Sequence, residues 1–133
     1  MQLQAAGFEP PPDLHLCDPQ PYVPFLGLLT GSRVVLTDSG GVQEETTMLG
    51  VPCLTLRENT ERPITTTLGT NRLVGADVAR IVDALDEVLA APMPSPPALP
   101  LWDGLAAERI VSVLDHEVVA GRLGRGDRLM AST

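Results

Sequence analysis

Apolar positions fall into short runs separated by polar turns, and the spacing within each run alternates between strand-like and helical. After an irregular stretch over residues 1–13, "LHL" (Leu14–Leu16) reads as a short strand. "PQPYVPFLGLLTGS" then places Tyr22, Phe25, Leu26 and Leu29 at helical spacing. Pro24 sits near the start, where proline is tolerated, and Gly31 is a stop. "RVVLT" (Arg33–Thr37) is a β-branched run bounded by turn residues, as suits a buried parallel strand. The stretch "LTDSGGVQEETTMLG" (Leu36–Gly50) joins that strand to a helix through Ser39, Gly40 and Gly41, with Glu44 and Glu45 expected in the first turn. Val42, Thr46 and Leu49 share one face of this helix, Gly50 is its C′ residue, and Pro52 follows as a stop.

"PCLTL" (Pro52–Leu56) is the next strand. Arg57–Asn71 is polar and punctuated by Pro63 and Gly69, so it reads as a loop with a short helix; "RLVG" (Arg72–Gly75) is a brief strand. In "ADVARIVDALDEVLAA", Val78, Ile81, Val82, Leu85, Val88 and Leu89 form an amphipathic stripe. A proline-rich connector runs from Pro92 to Pro100. "DGLAAERIVSVL" predicts a further helix with Asp103 as N-cap and Ala106, Ile110, Val113 and Leu114 inward. The Gly/Arg-rich tail, residues 121–133, is expected to be flexible. No internal repeat is present. Strands alternating with helices through short turns predict an α/β domain, a parallel sheet with flanking helices.

Composition narrows the function classes. At 133 residues the chain has room for one domain with a real core. Apolar residues make up 44% of it, and only four are aromatic (Phe8, Tyr22, Phe25 and Trp102), so the core is expected to be aliphatic. Few aromatics argue against base-stacking platforms, and a formal charge of −8 argues against a nucleic-acid backbone as partner. A single phosphorylated small ligand remains allowed, because backbone N–H groups hold it without lysine. Cys17 and Cys53 each lie in an apolar run and read as buried hydrophobes in a reducing compartment. Without histidines nearby they make no metal site. No run approaches a membrane span and no signal pattern opens the chain, so a cytoplasmic protein is expected.

The chemistry concentrates at the Ser39–Gly41 turn. Ligands of parallel sheets bind beyond the carboxyl ends of strands, where loops lead into helices. The glycines remove the Cβ atoms that would block approach, and the N–H groups of the first helical turn then favour an anion, a phosphate best of all. Glu45 lies roughly 6 Å further along the axis. There it can accept from neutral hydroxyls of the same ligand, such as a ribose diol, while Glu44 points to solvent or to a neighbouring arginine. The plainer alternative is a Ser39 N-cap with glutamates that complement the helix dipole. "RENTERP" (Arg57–Pro63) follows the next strand and so lies on the same sheet edge. Arg62 suits a diphosphate, and Thr60 and Thr70 offer hydroxyls. The alternative there is a solvated loop held by internal Arg–Glu pairs.

With these pieces in order, "LTDSGGVQEETTMLGVPCLTLRENTERPITTTLGTNRLVG" (Leu36–Gly75) closely resembles the non-hydrolysing UDP-N-acetylglucosamine 2-epimerases. "PLWDGLAAERIVSVL" (Pro100–Leu114) resembles the final helix of that family, and "DPQPYVPFLGLL" fits the stretch before the motif. The resemblance implies a Rossmann-like domain over residues 14–120, part of the carboxyl-terminal domain of a glycosyltransferase-B-like fold. It implies interconversion of UDP-N-acetylglucosamine and UDP-N-acetylmannosamine through UDP elimination and re-addition, in the supply of cell-envelope polysaccharide precursors. By the same resemblance, Ser39, Gly40, Gly41 and Arg62 match diphosphate-binding positions and Glu45 matches the ribose-binding residue. No cofactor and no metal is implied. The partners it implies are UDP-N-acetylglucosamine or UDP, with a separate amino-terminal chain and a homo-oligomer left open.

The chain departs from the family in extent. Residues matching the carboxylates that move the C2 proton, and the family's phosphate-contacting histidine, are not found in it. His15, in an expected core strand, and His116, on the polar side of a helix, match no site histidine. Ile64 stands where many family members carry another residue. The expectation is therefore a UDP-binding carboxyl-terminal part, inactive alone. The alternatives are a non-catalytic nucleotide-sugar-binding or interaction module, or a gene remnant.

Overall fold

The structure, a computed structural model, describes residues 7–122. The expectation of a flexible tail falls, from residue 123 on, outside the described residues. The chain divides into two compact units, Met1–Pro96 and Pro97–Thr133.

The first unit holds, in order, α1 (Tyr22–Gly31), β1 (Val35–Thr37), α2 (Gly40–Leu49), β2 (Cys53–Thr55), α3 (Pro63–Thr67), β3 (Asn71–Leu73) and α4 (Val78–Ala90). The strands form one three-stranded parallel sheet in the order β1-β2-β3. Val35, Cys53 and Asn71 are in register, as are Thr37, Thr55 and Leu73. Because strand side chains alternate between faces, Leu54 points away from Cys53 and Thr55. On the Leu54 side an aliphatic cluster forms with Val74 and Ala84, joined by Val34, Leu56, Ile81, Leu85 and Val88. Leu54 is 1% exposed, and burial of such a side chain contributes about 1.5–3 kcal/mol. The side chains of Cys53 and Thr55 meet residues of α2 and β3 instead, and that layer is largely polar.

Local chemistry sets the ends of these elements. Asp77 caps α4 by accepting from Arg80 N–H at 2.9 Å. At the other end, Arg33 Nη2 donates to the carbonyls of Val88, Leu89 and Ala91, which lack intrahelical partners. Gly50 ends α2 with φ +70°, the left-handed cap that glycine alone adopts without strain. A Cβ there would stand 2.7 Å from Pro96 N.

Several expectations are corrected. Leu14–Leu16 forms no strand and is exposed, so His15 lies in no core strand. Prolines crowd this segment on both sides, and it finds no partner strand among the described residues. Cys17 is exposed in the same segment, whereas Cys53 is buried as expected. On α4 the buried centre is Ala84, while Val78, Val82 and Leu89 are exposed.

The second unit contains α5 (Ala106–Val119), entered through a turn in which Gly104 has φ +81°. That turn shifts the N-cap from Asp103 to Leu105. The Asp103 carboxylate still accepts from Leu105 N–H at 3.1 Å and pairs with Arg109. The expected inward residues Ile110, Val113 and Leu114 are exposed, and no residue of α5 is buried. Among the described residues of this unit, one helix and a turn offer no second layer to bury an apolar stripe. Among the described residues no helix is long and apolar enough to cross a membrane.

Candidate nucleotide site

The turn after β1 is built for an open helix start. Ser39 is extended, with φ −84° and ψ 126°, and its N–H donates to Thr37 Oγ1 at 3.1 Å. Its carbonyl accepts from Gln43 N–H at 3.2 Å, which starts α2 at Gly40. The Ser39 hydroxyl makes no capping bond. The first turn of α2 carries no acid, so Glu44 and Glu45 stand in the second turn, a correction to their expected place. Ser39 thus stands at the N-cap position, as the plainer alternative has it, but without a side-chain cap bond or acids in the first turn. Space over the glycines is open: the nearest atom to a Cβ built on Gly41 is Ser39 Oγ at 3.9 Å, and on Gly40 it is Arg62 Cγ at 3.9 Å.

Arg62 thus reaches the turn from the loop after β2. Its Nε stands 3.0 Å from Glu44 Oε1, the neighbouring arginine that the sequence offered as one partner for Glu44. Glu45, next along, is half-buried and makes no ion pair among the described residues. The loop also holds an internal pair, Arg57–Glu61 at 3.9 Å, and reaches α4 through Glu58–Arg80 at 3.4 Å. Internal pairing therefore describes Arg57, while Arg62 is turned toward α2.

The hydroxyls singled out in the sequence are committed inside the protein. Thr70 Oγ1 donates to the Val51 carbonyl at 2.7 Å. Thr60 Oγ1 donates to Gln43 Oε1 at 2.6 Å and accepts from Arg62 N–H at 3.0 Å. Gln43, Thr65 and Asn71, which sequence reasoning missed, complete a buried polar cluster behind the turn. One signal could have revealed it: Gln43 lies at helical spacing with Thr46 and Thr47, which marks a polar stripe facing the sheet.

A cavity of about 220 Å³ lies elsewhere, between β3 and α4, lined by Arg72, Asp83, Ala84 and Glu87 among others. Among the described residues no group of three or more His, Cys, Asp or Glu is placed to hold a metal ion.

Residues 2–115 match the family model described as UDP-N-acetylglucosamine 2-epimerase. The UDP-N-acetylglucosamine 2-epimerase of Escherichia coli (strain K12) is 42% identical over 109 residues, covering 79% of this chain and 29% of the relative. That of Methanocaldococcus jannaschii is 41% identical over 103 residues, covering 77% of this chain and 28% of the relative. The crystal structure of the M. jannaschii UDP-GlcNAc 2-epimerase in complex with UDP-GlcNAc and UDP superposes with a TM-score of 0.67 at 42% identity, over 75% of this chain and 27% of that one. The Neisseria meningitidis enzyme bound to UDP-GlcNAc gives 0.63 at 37% identity, over 77% and 29%. The chain thus spans 21% to 29% of the length of curated relatives it matches. The parallel sheet and its helices are the Rossmann-like α/β arrangement of these structures.

Proposed function

This chain belongs to the UDP-N-acetylglucosamine 2-epimerase family, and from that premise we propose that it binds the UDP portion of a UDP-sugar as the carboxyl-terminal part of such an enzyme. The diphosphate is assigned to Ser39, through the hydroxyl that makes no capping bond, and to the N–H groups of Gly40 and Gly41, together with Arg62. The ribose hydroxyls are assigned to Glu45. The observation that carries this reading is the meeting of two loops: Arg62 lies over Gly40, beside a helix start that no side chain caps.

The assignment divides the ligand by charge. Amide dipoles and a guanidinium suit the anionic diphosphate. A carboxylate one turn further along suits neutral hydroxyls and would repel phosphate. In the epimerisation of UDP-N-acetylglucosamine, UDP is the group that leaves and returns, so this surface holds the leaving group. Proton transfer at C2 is not assigned to any acid of α2 or of the Arg57–Pro63 loop. Glu44, Glu58 and Glu61 are each paired with an arginine, and general acid–base work needs a group within hydrogen-bond reach of the proton. The chain alone is expected to bind without epimerising.

The test is calorimetric titration of the chain with UDP and with 2′-deoxy-UDP. The expected result is saturable binding of UDP, weaker binding of the deoxy analogue, and loss of that difference in Glu45→Ala. A folded chain that binds neither nucleotide overturns the reading. Equal binding of both by the unsubstituted chain removes Glu45 from the ribose.

A further inference from the structure

The Arg62 backbone is gripped on both sides by hydroxyls of one buried polar cluster. Its N–H donates to Thr60 Oγ1 at 3.0 Å, and its carbonyl accepts from Thr65 Oγ1 at 2.7 Å. Thr60 donates in turn to Gln43 Oε1 at 2.6 Å. Asn71 Nδ2 donates to that same oxygen at 3.1 Å and to Thr65 Oγ1 at 3.0 Å. Asn71 Oδ1 accepts from Thr55 Oγ1 at 2.6 Å. Side chains from α2, β2, β3, α3 and the loop between β2 and α3 are thus linked, through Thr60 and Thr65, to the N–H and the carbonyl of Arg62.

Closing this layer does not by itself call for amides. Gln43 is 1% exposed and Asn71 6%, and buried polar groups cost free energy unless every partner is in place. The opposite face of the sheet closes with aliphatic side chains. Directional bonds do what aliphatic packing does not: they fix the rotation and height of the loop against the helix. Gln43 also lies on α2 between Gly41 and Glu45, so the helix that presents the amides is the one that anchors the loop.

Resting on the reading of Arg62 as an anion-binding residue, we infer that Thr60, through Gln43, and Thr65, through Asn71, are positioning residues that set the Arg62 guanidinium over the Ser39–Gly41 turn. Neither hydroxyl contacts the nucleotide; both act through the Arg62 backbone.

A double-mutant cycle on the full chain, read by titration with UDP, tests this. Thr60 is only partly buried, so Thr60→Val removes one hydroxyl without opening the core. In the presence of Arg62 it is expected to weaken UDP binding about fivefold to tenfold. On an Arg62→Ala background it is expected to cause no further loss, and Thr60→Ser is expected to restore binding. Equal losses in both backgrounds overturn the inference, because Thr60 would then act on the fold or on the ligand itself. If Arg62→Ala leaves UDP affinity unchanged, the phosphate role of Arg62 fails and the inference with it, while the Ser39–Glu45 helix keeps its own test. One arm needs no nucleotide. In Thr60→Val the side-chain nitrogen resonance of Arg62 should move as its contact with Glu44 loosens, while that of Arg80, paired with Glu58, should stay. An unmoved Arg62 signal overturns the inference whatever UDP does.

Discussion

Arg62 Nε and Glu44 Oε1 stand 3.0 Å apart, joining the loop after β2 to the second turn of α2. Both side chains are more than a third exposed, so the pair contributes little to stability, at most about 1 kcal/mol. Its effect is on charge: the guanidinium nearest the glycines is already neutralised. If Arg62 binds the diphosphate as proposed, the ligand competes with a carboxylate for it. Glu44→Gln should therefore bind UDP more tightly, by about threefold to tenfold at low salt. The gain should fade near 1 M salt, where the screening length falls to about 3 Å. Titrations at the two salt concentrations check both halves, and an unchanged affinity at low salt would remove Glu44 as a competitor.

Two glycines of the first unit should respond to alanine with opposite signs. Gly31 closes α1 with no atom within 4 Å of a built Cβ, so Gly31→Ala should stabilise the chain by up to about 1 kcal/mol. Gly50 has φ +70° and a built Cβ 2.7 Å from Pro96 N, so Gly50→Ala should destabilise it by about 2 kcal/mol or more. Urea midpoints of the two variants, compared with the parent, decide the matter.

The cysteines should separate in a thiol assay. Burial pushes the Cys53 thiol above its ordinary pKa, against its hydrogen bonds with Thr46 and Thr55, which act in the opposite direction. Cys17 is exposed. Since the thiolate is the reactive form, one thiol should be modified quickly in the native chain and the second only in denaturant. Rapid modification of both in native buffer would contradict the buried placement of Cys53.

Acid should loosen the start of α5. The hydrogen bond from Arg109, and then that from Leu105 N–H, hold the Asp103 carboxyl below the usual carboxylate range. A carboxyl whose pKa is depressed by folding stabilises the folded form above its unfolded value, and that contribution disappears as pH falls through the folded value. The Leu105 and Ala106 amide resonances should accordingly shift below about pH 4. In Asp103→Asn that transition should be absent.

The elements of the first unit are legible because their punctuation is local. The β-branched run to Thr37, the Ser39–Gly41 turn, Gly50 with Pro52, and Pro63 each state a boundary through their own backbone preferences. Expectation and structure part where burial depends on a second layer. Among the described residues, Leu14–Leu16 has strand composition but finds no partner strand, and Ile110, Val113 and Leu114 have helical spacing but no covering face within their unit. Cys17 shares the fate of its segment.

By itself the sequence determined the alternation of strand and helix, the parallel sheet that follows from it, and the placing of two loops on one sheet edge. Tertiary structure alone decided what meets at that edge. Gln43 finds Thr60 across 17 positions and Asn71 across 28, and such partners are set by the register of β2 and β3 rather than by neighbours in the chain. That the Ser39 hydroxyl makes no capping bond, that Glu44 is taken by Arg62, and that the backbone of Arg62 is fixed from both sides follow from the same closure. A hydrogen bond depends on distances of a few tenths of an ångström, and only the packed sheet and helices supply them.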